Sequence, residues 1–128
     1  MTLSVTFKLT PEFWNMARTV ELARNDKKIA ETYRARHAAD VAHLTDDALV
    51  AAIAEAREAA FSLGLADKDL RARFIMLAVL RVPRFWQEET VARILSAPTG
   101  TPDIRFGDVC ALFKRAAERA GTPERVWW

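Results

Sequence analysis

The chain reads as an all-α protein, a compact bundle of four to five helices with a short N-terminal β-strand. Three observations predict this. Apolar residues recur at spacings of three and four over most of the 128 residues, which places them on single helix faces. Thr10, Thr45 and Asp67 stand just ahead of such stretches, where a side-chain oxygen can accept the first free backbone N–H groups of a helix. Residues 2–9 instead alternate, with Leu3, Val5, Phe7 and Leu9 apolar and Thr2, Ser4, Thr6 and Lys8 polar. A period of two marks a strand on a half-buried surface.

The helices follow in order. Thr10-Pro11-Glu12 combines a cap, a proline suited to the first helical position and an acid at the positive end of the dipole. A helix is predicted over about 11–39, with Phe13, Met16, Ala17 and Val20 at helical spacing and Asn25-Asp26-Lys27-Lys28 as a kink or solvated turn. Thr45 caps a second, 46–63, whose stripe is Leu49, Ile53, Ala56, Ala60 and Leu63. Gly64 ends it in a position that favours left-handed backbone, and Leu65 folds back against it. A third, 68–82, runs from the Asp67 cap to the stop at Pro83. Its second half, FIMLAVL, is apolar all round, so this helix is expected at the centre of the core. A short fourth, 87–96, turns Val91, Ile94 and Leu95 inward, and the turn-rich run Pro98 to Pro102 leads into a fifth over 103–120. Phe106, Val109, Cys110 and Phe113 lie along one side of that last helix.

A single domain spanning 1–128 is expected, long enough to bury about two-thirds of the surface of its unfolded chain. Nineteen basic and seventeen acidic residues leave a net charge of only +2. The two signs are interleaved, which argues against a nucleic-acid partner, since that chemistry wants a basic stripe. A lone cysteine, Cys110, allows no internal disulfide and fits a reducing compartment. No signal-peptide layout opens the sequence and no apolar run is long enough for a bilayer. A cytoplasmic protein with no membrane partner is therefore expected.

The chemistry-bearing residues favour structural roles. His37 and His43 are six apart, off the spacing that puts two ligands on one helix face. Cys110 lies on an apolar face with no base at any useful spacing. Asp46-Asp47 and Asp67-Asp69 fall at helix starts, where carboxylates cap and meet the dipole. The four glycines are scattered, so no phosphate-cradling loop forms. No catalytic residue, cofactor or metal is expected, and the protein is read as a non-enzyme. The stretch AAFSLGLADKDLRARF has the turn spacing of a helix-turn-helix. Its second helix, however, starts Asp-Lys-Asp and runs into the apolar core segment.

Three features point to protein association. A single strand leaves backbone groups unpaired, so Val5 and Phe7 are candidate contacts for another chain. Phe85 and Trp86 form an aromatic corner after Pro83-Arg84, and Trp127-Trp128 close the chain. Rings of this kind anchor protein interfaces. Pairing with the chain's own core, or with a second copy as a homo-oligomer, remains open for each.

From Leu44 to Ala120 the order of features resembles a family of small helical proteins encoded among type VI secretion genes, near spike-tip and effector genes of Proteobacteria. The likeness rests on Leu44-Thr45-Asp46-Asp47-Ala48-Leu49, on Ala56 with Gly64-Leu65, on Arg73-Phe74-Ile75-Met76-Leu77-Ala78, on Pro83-Arg84-Phe85 and on Val91-Ala92-Arg93-Ile94-Leu95. The opening Phe7-Lys8-Leu9-Thr10-Pro11 is similar as well. The family's corner after the buried helix carries Gly and an acid, whereas this chain has Val82-Pro83-Arg84. The resemblance implies an adaptor or chaperone that loads a secretion effector or spike component, with no enzymatic activity. The alternatives are an immunity protein that inhibits a cognate toxin and a helix-turn-helix DNA-binding regulator.

Overall fold

The computed structural model describes residues 10–121, and the expected strand 2–9 with Val5 and Phe7, like the tail with Trp127 and Trp128, lies outside the described residues. Within them the chain is a helical bundle without strands. Helix α1 spans Pro11–Arg36, α2 Ala38–Val41, α3 Asp46–Ser62 and α4 Lys68–Met76, with a π-helical turn Leu77–Arg81 continuing α4. A 3₁₀ turn Phe85–Gln87, α5 Glu89–Leu95 and α6 Pro102–Arg119 complete the order. No helix among the described residues is long and apolar enough to cross a membrane.

Local chemistry sets most of these boundaries. Thr10 Oγ1 accepts from Phe13 N–H, Thr45 Oγ1 from Ala48 N–H, and an Asp67 carboxylate oxygen from both Asp69 and Leu70 N–H. Each cap satisfies donors that the helix itself leaves open. Thr101 does the same for α6 through Ile104 N–H, so that helix begins a residue earlier than the spacing from Asp103 suggests. Glu88 caps α5, and the bonds from Val91 and Thr90 N–H hold its carboxyl below the usual carboxylate range. Gly64 has a φ of +80°, and Leu65 folds back to 4 % exposure. The Gly64 turn is locked from afar, because the Asp103 carboxylate accepts from Ala66 and Asp67 N–H.

The core forms where the apolar segment predicts it. Phe74, Ile75 and Leu77 to Leu80 are all buried. Over Leu77–Arg81 this buried segment widens to π geometry, with Val82 N–H donating to Leu77 O at 2.9 Å. Around Phe74 the rings of Phe85, Phe106 and Trp86 gather with centroids 4.7, 5.2 and 5.4 Å away. The backbone reaches this packing through Arg84, whose φ of 54° is left-handed, a strained state for a residue other than glycine. Glu55 holds that corner from α3 by a two-pronged ion pair, Nε–Oε1 2.7 Å and Nη2–Oε2 3.1 Å.

The corner thereby corrects one expectation. Phe85 is 1 % exposed and Trp86 is half-buried, stacked on Phe74. Phe85 is therefore a core residue and is not available to a partner, whereas part of the Trp86 ring stays at the surface. A second correction concerns Asn25 to Lys28. These residues continue α1 without a break, and the helix ends instead at His37.

Candidate protein-binding surface

Helices α1 and α3 run antiparallel, as three long-range contacts fix. The Arg34 guanidinium reaches Asp46 at 3.1 Å, Arg57 reaches Asp26, and Arg18 lies over the Phe61 ring at 5.2 Å. Since α3 ends at Ser62, residues 11 to about 17 of α1 run on past it. At 1.5 Å per residue this overhang is about 10 Å long.

The apolar face of the overhang points away from the bundle. Leu22, Asp26, Ile29, Ala30 and Tyr33 form the face of α1 that packs inward. At 100° per residue, the stripe Phe13, Met16, Ala17 and Val20 sits roughly 145° around the helix from them. Every residue from Pro11 to Glu21 is exposed, Met16 at 67 % and Val20 at 55 %. Trp14 is exposed as well, its ring edge-on to Phe13. Met16, Ala17 and Val20 thus present apolar side chains to water rather than to the described core.

Asp26 is the one charged residue buried among the described residues, at 2 % exposure. Its carboxylate accepts two bonds from Arg57, from Nε at 2.9 Å and Nη2 at 3.0 Å. That geometry is the strong, forked kind. Arg57 also donates to Glu58. The hydrogen bond to Asp26 holds the guanidinium above its ordinary pKa against the opposing effect of burial. The pair sits beneath α1 at the divide between two grooves. One, of about 1080 Å³ between α1 and α3, has a floor that includes Ala23, Ala30, Val50 and Ala54. The other, of about 610 Å³, lies between α1 and α4, with Leu22, Ile29, Phe61 and Ile75 among its lining.

The remaining candidates lie apart from this surface. His37 is half-buried beside Asp40, Nδ1 to Oδ2 3.9 Å, and Arg81 reaches the same carboxylate at 3.1 Å. The His37 ring also meets Tyr33 edge to face, and burial pushes the Tyr33 hydroxyl far above its ordinary pKa. This cluster ties the end of α1 to the π-helical turn. His43 is exposed. Among the described residues no group of three His, Cys, Asp or Glu side chains is placed to hold a metal ion. Cys110 is half-buried on α6, and burial pushes its thiol up to about 11. At pH 8 its alkylation by iodoacetamide is expected on the order of a hundredfold slower than that of a free cysteine. A rate within threefold of the free thiol would show that α6 does not cover it.

Sequence reasoning noted the spacing of Phe13, Met16, Ala17 and Val20 but not their direction. A signal existed. Leu22, Ile29 and Tyr33 define a different helix face, and only one of the two faces can meet α3. The Asp26–Arg57 pair spans 31 positions and has no local signature.

No protein-family model, curated protein or solved structure matches the chain.

Proposed function

We propose that this protein is a non-enzymatic binding accessory that holds another protein through the outward face of α1. One observation carries the reading: the opening turns of α1 overhang α3 with Met16 and Val20 in water. A helix that extends past its support with an apolar face outward costs solvation in isolation, and burying that face against a partner recovers it. The resemblance in sequence supports a type VI secretion effector or spike component as the partner, with this protein as its adaptor or chaperone in a cytoplasmic setting.

Co-expression with the proteins encoded beside it tests this. A complex of defined stoichiometry is expected to co-purify and to be lost, at least tenfold in yield, in the Met16→Ser/Val20→Ser variant. Failure of every neighbour to co-purify, or retention of the complex by the variant, would remove the reading. The same experiment separates the roles. A chaperone raises effector abundance without blocking its activity, whereas an immunity protein rescues growth. A DNA-binding regulator would instead retain duplex DNA in a gel shift at low salt.

A further inference from the structure

Helices α1 and α4 both pack on α3 and leave a groove between them. A second recess of about 250 Å³, also between α1 and α4, adjoins the first, with Ile29, Ala72 and Ile75 lining both, and together they make up the groove. Its wall on α1 runs from Asn15 to Tyr33, about 27 Å at the helical rise. The floor is apolar, with Leu22, Ile29, Phe61, Ile75 and Met76.

The charges around this floor are one-sided. Arg18, Lys28, Lys68 and Arg71 line it. Arg71 donates only to the Leu65 and Ala66 carbonyls, and Arg18 lies over the Phe61 ring. Neither they nor the two lysines have a carboxylate within ion-pair distance among the described residues. The two acids in the groove, Asp26 and Glu58, are both taken by Arg57. With Arg57 counted, five cations and two acids line the apolar trough, an excess of three positive charges.

We propose that the α1/α4 groove receives one amphipathic helix of the partner protein, its apolar face on Leu22, Ile29 and Ile75 and its flanks acidic. This rests on the protein-binding reading and adds a second contact: Leu22 and Ile29 lie on the opposite side of α1 from Met16 and Val20, so the partner covers the outward face and sends one helix into the groove. A partner helix in this position completes a four-helix arrangement with α1, α3 and α4, and its apolar anchors recur at i, i+3, i+4 and i+7. Acidic flanks meet the basic rim, which raises the rate of encounter and rejects segments of the wrong sign.

The test uses the full chain and a synthetic, fluorescein-labelled helical peptide of about 18 residues, long enough to lie along the groove. It carries leucines at those anchor positions and glutamates on the flanks, and its control twin carries lysines in place of the glutamates. In fluorescence anisotropy at 50 mM salt the acidic peptide is expected to bind at least tenfold more tightly than the twin. That preference should shrink towards parity at 500 mM salt. The Lys28→Glu/Lys68→Glu variant, altered at exposed positions only, is expected to lose at least tenfold in affinity for the acidic peptide and to gain for the lysine twin. Equal binding of both peptides, binding of neither, or an unchanged variant would overturn the proposal. So would a chain that sediments as a dimer and excludes both peptides, or one that takes up anionic vesicles or RNA but not the acidic peptide. If the peptide fails while the neighbour-encoded complex still co-purifies, only this groove assignment falls. If both fail, the protein-binding reading falls with it.

Discussion

Replacing Phe74 with alanine is expected to lower the free energy of unfolding by about 4 kcal/mol, with a fall in Tm on the order of 15 °C. Phe74 is fully buried and touches the rings of Phe85, Trp86 and Phe106 together. Its removal leaves a cavity bounded by α4, the 3₁₀ turn and α6. The neighbours cannot close it easily, because the corner that carries Phe85 is pinned through Arg84 to Glu55. Phe74→Leu keeps most of the volume and should cost less than half as much. Chemical denaturation monitored by circular dichroism measures both. A loss below about 1 kcal/mol for the alanine variant would mean that the ring cluster is not the centre of the core.

The second large effect concerns the buried ion pair. Arg57→Ala leaves the Asp26 carboxylate without its two donors at 2 % exposure, and an unpaired buried charge costs about 3 to 5 kcal/mol. Asp26→Ala should cost less, about 2 kcal/mol. The guanidinium left behind keeps Glu58 and reaches water, its side chain being 21 % exposed. Removing both partners is a different matter. Asp26→Leu/Arg57→Leu replaces the pair with apolar volume, and its stability is expected within about 1 kcal/mol of the parent. Denaturation midpoints of the two single variants and the double close this cycle. If the double variant loses the sum of the two singles, the pair does not act as a unit and Asp26 is not shielded as the structure shows.

Much of this fold is written in short-range signals. Thr10, Thr45 and Asp67 cap helices because a side-chain oxygen acts on N–H groups two or three residues on, and that spacing is visible in the chain. The segment FIMLAVL announces its burial by leaving no polar face. What could not be read depends on partners distant in sequence. Asn25 to Lys28 look like a solvated turn until Arg57 arrives from α3 to neutralise Asp26. Arg84 adopts a left-handed backbone that only the Glu55 anchor and the aromatic packing explain. Phe85 and Trp86 are equally suited by type to an interface or a core; Phe85 is buried against Phe74, and Trp86 stacks on the same ring with part of its surface exposed.

The surface was half legible. Periodicity groups Phe13, Met16, Ala17 and Val20 on one face, but it does not say how long α3 is in relation to α1. The overhang arises because α1 has 26 residues and α3 has 17. The channel between α1 and α4 has another origin: both helices pack on α3, and nothing among the described residues fills the space between them.

Calorimetric melting of the Met16→Ser/Val20→Ser variant tests most directly whether the outward face of α1 is free of the monomer's own core. Serine at positions already in water removes no internal packing, so a Tm within about 2 °C of the parent is expected. A fall of more than about 8 °C would place the stripe inside the folded chain, and the binding account built on it would be contradicted.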